Sequence, residues 1–132
     1  MLGIDMSWGQ EILRAFLLAL GSFEIITNLT HLFRKDGLKT ARKQHGELPR
    51  NVSEDKLKLK VICMLTAGIA FFAVSLSSYI LHRYTATTIL MAAVLFCAYG
   101  ITEALYYRHW KTSGFAIVTL LILIPAILNR LL

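Results

Sequence analysis

The chain has 132 residues, of which 56% are hydrophobic, and it carries a formal net charge of +6. A soluble domain of this length exposes most of its surface and would be more polar than a mean hydropathy of +0.59. These values argue against a soluble enzyme or a soluble binding domain. They predict one integral membrane domain over residues 1–132, because the length leaves room for no second domain.

The first predicted membrane span covers residues 12–33. It follows an N-terminal stretch, "MLGIDMSWGQEILR", that carries Asp5 and Glu11 where a cleaved signal peptide would carry basic residues. We therefore expect the first helix to be retained in the protein. The residues of this span that we expect to meet lipid are Phe16, Leu17, Phe23 and Leu29.

The second half of the first span carries a glutamate, an asparagine and a histidine, namely Glu24, Asn28 and His31. If Arg34 marks the membrane boundary, Glu24 lies ten residues deeper, which is about 15 Å at 1.5 Å per residue. That depth is close to the midplane of a ~30 Å hydrocarbon core. A seven-residue spacing relates Glu24 to His31 and Gly21 to Asn28, so these residues lie near one helical face. We expect this face to meet protein or water.

The segment between the first two spans, residues 34–60, is strongly basic. It contains nine Lys and Arg against four Asp and Glu, and with Arg108 and Lys111 it holds 11 of the 14 basic residues. The positive-inside rule places this loop in the cytoplasm, at a bacterial inner membrane or a plasma membrane, with both termini on the extracytoplasmic side. Six of its cations are candidates for binding anionic headgroups or a soluble anion: Arg34, Lys35, Lys39, Arg42, Lys43 and Arg50.

The second predicted span covers residues 61–81. A helical extension precedes it, because Ser53 can cap a helix whose first turn holds Glu54 and Asp55, and negative charge is favourable at that end of a helix. Small residues recur within this span and predict a seam of close helix packing: Thr66, Ala70, Ala73 and Ser77.

The third predicted span covers residues 85–107. Seven of its residues recur at intervals of three or four positions, which places them on one helical face: Thr85, Thr88, Ala92, Phe96, Tyr99, Glu103 and Tyr106. Glu103 lies five residues before Arg108, about 7 Å from the membrane boundary. Asn28 and His31 lie at a similar depth. The sequence therefore predicts a polar cluster that contains Asn28, His31, Tyr99, Glu103 and Tyr106. Glu24 would lie one or two helical turns deeper in the membrane.

The fourth predicted span covers residues 114–132 and completes an all-α integral membrane protein, a four-transmembrane-helix bundle. Cys63 and Cys97 are isolated in apolar runs, so we expect small core residues and not a redox pair. His31 has no HxxxH, HxxE or Cys-rich motif around it. We therefore expect no bound metal and no cofactor.

The first functional hypothesis is a homo-oligomeric channel or transporter with Glu24 in its pathway. Ionisable groups inside a membrane are costly and usually carry a function, and four short helices enclose little volume on their own. In length, number of spans and a first-span carboxylate, the chain resembles the small multidrug resistance transporters. It departs from their short loops at residues 34–60, and no extended motif matches, so we do not assign it to that family.

The alternative hypothesis is a membrane receptor, an effector or an accessory subunit of a larger complex. Its basic loop would bind an anionic ligand, which is a nucleotide, an oligonucleotide or an acidic protein segment. The sequence has no glycine-rich phosphate loop, so nucleotide hydrolysis is not expected, and neither is binding to duplex nucleic acid. Enzymatic activity is not expected either, because lipid-modifying enzymes carry denser polar motifs at the interface.

Overall fold

The computed structural model describes residues 7–131, which form five helices and no strand. The helices are α1 (Trp8–Phe33), α2 (Gly37–Gln44), α3 (Glu54–Ile80), α4 (Ala86–Tyr107) and α5 (Trp110–Leu131). All except α2 are long and apolar enough to cross a membrane. The prediction of an all-α chain with four such helices is confirmed. Asp5, whose charge is atypical of a signal peptide, and Leu132 lie outside the described residues.

Two serine caps fix where the long helices α1 and α3 begin. Ser7 Oγ accepts a hydrogen bond from the Gln10 backbone N–H, and Gln10 Oε1 accepts one from the Ser7 backbone N–H, both at 3.2 Å. This is a capping box. Ser53 Oγ accepts from the Lys56 backbone N–H at 3.3 Å. The predicted extension of the second span is therefore present, and α3 starts at Glu54.

The four long helices form two tightly packed antiparallel pairs, α1 with α3 and α4 with α5, and the two pairs make fewer contacts with each other. The α1–α3 crossing depends on two glycines. A Cβ added at Gly21 would lie 2.6 Å from the Phe72 backbone nitrogen and 2.8 Å from the Gly68 carbonyl oxygen. Glycine at this crossing lets the two backbones approach closely.

The two ends of the bundle differ in composition. One end, which we call the terminal side, carries the start of α1 and the end of α5. There Gln10 Nε2 donates to the Asn129 carbonyl oxygen at 3.0 Å, and Asn129 Nδ2 donates to the Gly9 carbonyl oxygen at 3.2 Å. These bonds join the start of α1 to the end of α5. The opposite end, the basic side, carries α2, the start of α3 and the α4–α5 connection.

Two of the residue-level expectations for the long helices are wrong. Leu17 is fully buried, although Phe16, Phe23 and Leu29 are exposed as expected. Leu17 follows the buried Arg14 by three positions and precedes Gly21 by four, so it belongs to the protein-facing side of α1. In α3, the expected small-residue seam is largely exposed. The buried face of α3 carries other residues instead, namely Met64, Gly68, Phe71, Ser75 and Ser78.

Residues 34–53 form a folded cap on the basic side, where the sequence predicted the first part of a loop over residues 34–60. A small apolar cluster packs α2 and the following turn against the start of α3, and its buried members are Ala41, Leu48, Val52, Leu57 and Val61. Arg42 reinforces this turn, because its guanidinium donates to the carbonyl oxygens of Arg50 and Val52, both at 3.0 Å. The cap therefore holds its side chains in defined positions above the long helices.

Candidate functional site

The polar residues of the first span lie on the protein-facing side of α1. Glu24, Asn28 and His31 are all buried, as their spacing predicts. Arg14 is buried on the same side, nearer the terminal side. Its Nη1 donates to the Ser78 carbonyl oxygen at 3.3 Å, and its guanidinium lies 3.9 Å from the centre of the Tyr79 ring.

Asn28 joins α1 to the cap. Its Nδ2 donates to the Glu24 carbonyl oxygen at 2.8 Å, and its Oδ1 lies 2.9 Å from His45 Nε2. Because Oδ1 carries no proton, Nε2 of His45 is the donor in this pair. His45 follows α2 directly and is buried. A residue that had no evident partner in the sequence therefore lies beside the polar face of α1.

Lys60 of α3 lies between carboxylates from two different segments. Its Nζ donates to Glu103 Oε1 of α4 at 2.8 Å and lies 3.1 Å from Glu47 Oε1 of the cap. Tyr99 of α4 donates its hydroxyl to Glu103 Oε2 at 2.6 Å. The ammonium also lies 3.7 Å from the centre of the Phe115 ring, so α5 closes the site from the other side.

This lysine is 2% exposed and Glu103 is 6% exposed, so their charges interact in a low-dielectric environment. Breaking such a pair leaves an uncompensated buried charge, whereas the intact pair offsets most of the desolvation cost of both groups. The contact joins the α1–α3 pair to the α4–α5 pair, because Lys60 and Glu103 belong to different pairs.

Glu47 lies outside the membrane-length helices, in the turn that follows α2. Burial acts to raise the pKa of its carboxyl group. The opposing effects of the His45 ring and the Lys60 ammonium are larger together and lower the pKa of Glu47 to about 2. The ring nitrogen Nδ1 of His45 lies 3.7 Å from Glu47 Oε1. Glu47 is therefore a carboxylate at neutral pH and links His45 to Lys60.

Glu24 joins these contacts through its backbone carbonyl oxygen, which accepts the hydrogen bond from Asn28 Nδ2. The residue is 6% exposed, and its Oε2 is buried with no hydrogen-bond partner in the part of the chain that the structure describes. Its Cβ borders the Gly68 position of α3, where an added Cβ would lie 2.8 Å away. A buried carboxyl oxygen without a hydrogen-bond partner is energetically unfavourable. A proton, a cation or another hydrogen-bond donor could therefore be accommodated at this oxygen.

We call the connected set the buried polar network; its members are Glu24, Asn28, His45, Glu47, Lys60, Tyr99 and Glu103. The structure brings together the predicted residues of α1 and α4 only through three residues that sequence reasoning left out: His45, Glu47 and Lys60. The two other predicted members lie beside the network or away from it.

His31 lies beside the network. Its Nε2 is hydrogen-bonded to Gln44 Oε1, and its ring centre lies 6.2 Å from that of His45. Tyr106 does not join the cluster. It is 62% exposed, and the ammonium of Lys56 lies 5.0 Å from the centre of its ring. The prediction placed Tyr106 on the same face as Glu103, but it projects outward at the end of α4.

One feature of the sequence pointed to Lys60. It precedes Met64 by four positions and Gly68 by eight, so helical spacing places it on the face of α3 that packs against α1. His45 and Glu47 carried no such signal, since their positions depend on how residues 45–53 turn back over the bundle.

The six predicted anion-binding cations divide between two cavities on the basic side. A cavity of about 570 Å³ is bordered by Lys39, Arg42, Lys43 and Arg50, together with Lys111 of α5. None of the described residues that line it is acidic. A second cavity, of about 390 Å³, is bordered by Arg34, Lys35 and Lys39, but also by Asp36 and Glu54. The larger cavity is the more strongly basic of the two.

Residues 7–131 contain no group of three or more His, Cys, Asp or Glu side chains placed to hold a metal ion. Cys97 is buried, Cys63 is half-buried, and both are free thiols. Comparison of the chain with protein-family models, with curated proteins and with solved structures found no match.

Proposed function

We propose that the protein is a transporter or channel for protons or a small cation, and that Glu24 is the carboxylate that binds the transported ion. The observation that carries this proposal is the buried, unpartnered Oε2 of Glu24 in the buried polar network. Ionisable residues inside a membrane are costly, and they commonly mark ion pathways or proton relays.

Charge balance supports the proposal. The buried polar network contains three carboxyl groups, those of Glu24, Glu47 and Glu103, but only one lysine or arginine, Lys60. Lys60 already contacts Glu47 and Glu103, so an ionised Glu24 would add a negative charge without a direct partner. A proton or a bound cation at Glu24 removes that charge, which is the property required of a binding site that loads and releases its ion.

In the proposed arrangement the basic side faces the cytoplasm and both termini lie outside, in a bacterial inner membrane or a plasma membrane, as the distribution of Lys and Arg favours. The α1–α3 crossing closes Glu24 within one chain, so the ion reaches it only when helices separate or when copies of the chain assemble. A homo-oligomer is also part of the proposal, because four helices enclose little volume on their own. A strictly monomeric protein by light scattering in detergent or nanodiscs would contradict it.

The direct test is proton flux into liposomes that contain the purified protein, followed with an internal pH-sensitive dye. We expect Glu24→Gln to reduce flux at least tenfold. Glutamine has the size of glutamate, so the substitution should leave α1 helical and its packing unchanged. Glu11→Gln is the matched control, because it removes a carboxylate from the same helix at its partly exposed terminal end; we expect it to retain flux. Equal flux in Glu24→Gln and wild type, in a protein of unchanged thermal stability, would exclude Glu24 as the ion carrier.

A second candidate function is favoured by the 570 Å³ basic cavity, which gathers five cations from α2, the cap turn and α5. In this alternative the cap binds a soluble anion such as a nucleotide, and the bound anion regulates the bundle. Isothermal titration with ADP tests it. Lys39→Gln with Lys43→Gln should abolish saturable binding, and Lys58→Gln, outside this cavity, should not. Arg42 is a poor choice for the test because it holds the cap turn together.

A further inference from the structure

A groove runs between α3 and α4 on the outside of the bundle, and we call it the lateral groove. It consists of two cavities of about 290 Å³ and 380 Å³ that share Cys63 and Tyr99 in their walls. The first lies at mid-helix level and its walls include Ile62, Ala67, Ala70, Phe71, Leu95 and Phe96. The second reaches the basic side, where Lys56, Tyr106 and Tyr107 border it.

The lateral groove exists because α3 and α4 belong to different helix pairs and small side chains separate them. Ala67, Ala70 and Ala92 leave space between the helices that the larger Phe71 and Phe96 do not fill. Ile62 and Leu95, at the edges of the groove, are 43% and 67% exposed. In a membrane this apolar space is open from the side, so hydrocarbon is its natural occupant.

The length of the lateral groove corresponds to one leaflet. Along α3, Ala70 and Lys56 are separated by 14 positions, or about 21 Å at 1.5 Å per residue. A leaflet with its headgroup region is about half of a ~40–45 Å bilayer. A phospholipid whose headgroup lies at the Lys56 level therefore has its acyl chain end near Ala70 and Phe71, where the apolar walls end.

The charge at the end of the lateral groove on the basic side is positive. Lys60 is compensated internally by Glu103 and Glu47, but Lys56 has no acidic partner within 4 Å among residues 7–131 and lies against the Tyr106 ring. Its ammonium and the neighbouring tyrosines lie where a headgroup would be. A lysine at this level is complementary to a phosphate and attracts anionic lipids more than zwitterionic ones.

We propose that the lateral groove is a binding site for one anionic phospholipid of the surrounding membrane. One acyl chain lies along the apolar walls between α3 and α4, and the headgroup phosphate lies beside Lys56. The lateral groove shares Lys60, Tyr99 and Glu103 with the buried polar network, but Glu24, the proposed ion carrier, does not line it. The inference therefore does not require that the protein transports an ion.

The test is titration of the delipidated protein in detergent with phosphatidylglycerol and, separately, phosphatidylcholine. Bound lipid is counted by native mass spectrometry. We expect one phosphatidylglycerol to bind more tightly than phosphatidylcholine. Lys56→Gln should lose about fivefold in affinity, the equivalent of ~1 kcal/mol for one lysine near a headgroup. Ala70→Phe should fill the groove and abolish binding.

Two control variants belong to the same helix. Lys58→Gln removes an exposed charge outside the lateral groove, and Ala73→Phe adds the same ring at an exposed position that does not line it. Both should bind lipid like the wild type. Equal binding of the two lipids, or unchanged binding in both Lys56→Gln and Ala70→Phe, would overturn the proposal. So would loss of a homo-oligomer in Ala70→Phe without any bound lipid, because a second copy of the chain would then occupy the groove.

Discussion

Lys60 is the residue at which the two helix pairs and the cap meet. Its ammonium contacts Glu103 of α4 and Glu47 of the cap, and it lies against the Phe115 ring of α5. Single contacts of this kind contribute little at a surface, but a buried ion is different, because removing one partner leaves the other without compensation. The cost of a substitution therefore depends on which partner is removed.

Replacing Lys60 should destabilise the protein more than replacing Glu103. Lys60→Met leaves two carboxylates facing each other without a cation, which costs about 3–5 kcal/mol, whereas Glu103→Gln leaves Lys60 paired with Glu47. The measurement is the thermal unfolding midpoint in detergent, with Lys58→Met as the control at an exposed position of the same helix. Equal midpoints for Lys60→Met and Lys58→Met would show that the ion pair has no role in stability.

Glu47 predicts a specific pH dependence. Its pKa is about 2 in the folded protein, below the ordinary value of 4.5. A depressed carboxyl pKa stabilises the fold above the unfolded value, so this contribution is complete above about pH 4.5 and is lost as pH falls toward 2. The difference in unfolding free energy between wild type and Glu47→Gln should be constant from pH 7 to 5 and shrink from pH 4.5 downward. A difference that already shrinks above pH 5 would contradict this assignment.

At the scale of helices, the backbones of α1 and α3 come into close contact where the two helices cross. Gly21 and Gly68 face each other at the crossing, and the neighbours of an added Cβ at Gly21 are backbone atoms. Backbone atoms of a packed helix cannot move aside as the end of a flexible side chain can. The crossing also positions Glu24, whose Cβ borders Gly68.

Gly21→Ala should therefore destabilise the protein by about 1–3 kcal/mol, the usual cost of overpacking. Gly114→Ala is the matched control, since an added Cβ at Gly114 meets no atom within 4 Å. Removing a helical glycine there should be neutral or stabilise by up to about 1 kcal/mol. Chemical unfolding in mixed micelles measures both variants. Similar unfolding free energies for Gly21→Ala and Gly114→Ala would indicate that α1 and α3 can move apart at their crossing without loss of stability.

Helix positions were predictable from sequence because their causes are local. Apolar stretches of sufficient length and the Ser53 cap gave the long helices and the start of α3, and seven-residue spacing gave the buried side of α1. The cap was not predictable in the same way. Its fold depends on Arg42 reaching the carbonyl oxygens of Arg50 and Val52, a contact between residues whose separation carries no periodic signal. The candidate site was incomplete for that reason, because the cap supplies His45 and Glu47.

At the scale of the whole molecule, the packing divides the bundle into the α1–α3 pair and the α4–α5 pair. The two pairs are joined at the basic side by Lys60 and Glu103, and at the terminal side by the hydrogen bonds among Gly9, Gln10 and Asn129. Between these ends lie the aromatic core contact of Phe71 with Phe96 and the lateral groove. In the proposed transport function, motion of one pair against the other would break these contacts and open the bundle at its two ends.

A disulfide across the terminal side tests whether this motion accompanies the proposed transport. An added Cβ at Gly9 would lie 3.7 Å from Asn129 Cγ, so Gly9→Cys with Asn129→Cys places two thiols within reach of each other. In a Cys63→Ala, Cys97→Ala background, oxidation should reduce proton flux in liposomes at least tenfold, and a reductant should restore it, because a crosslinked terminal side cannot open. The same background with Gly9→Cys alone controls for the substitution itself. Full flux in the oxidised double-cysteine protein, with crosslinking verified by mass spectrometry, would mean that ions pass without separation of α1 from α5.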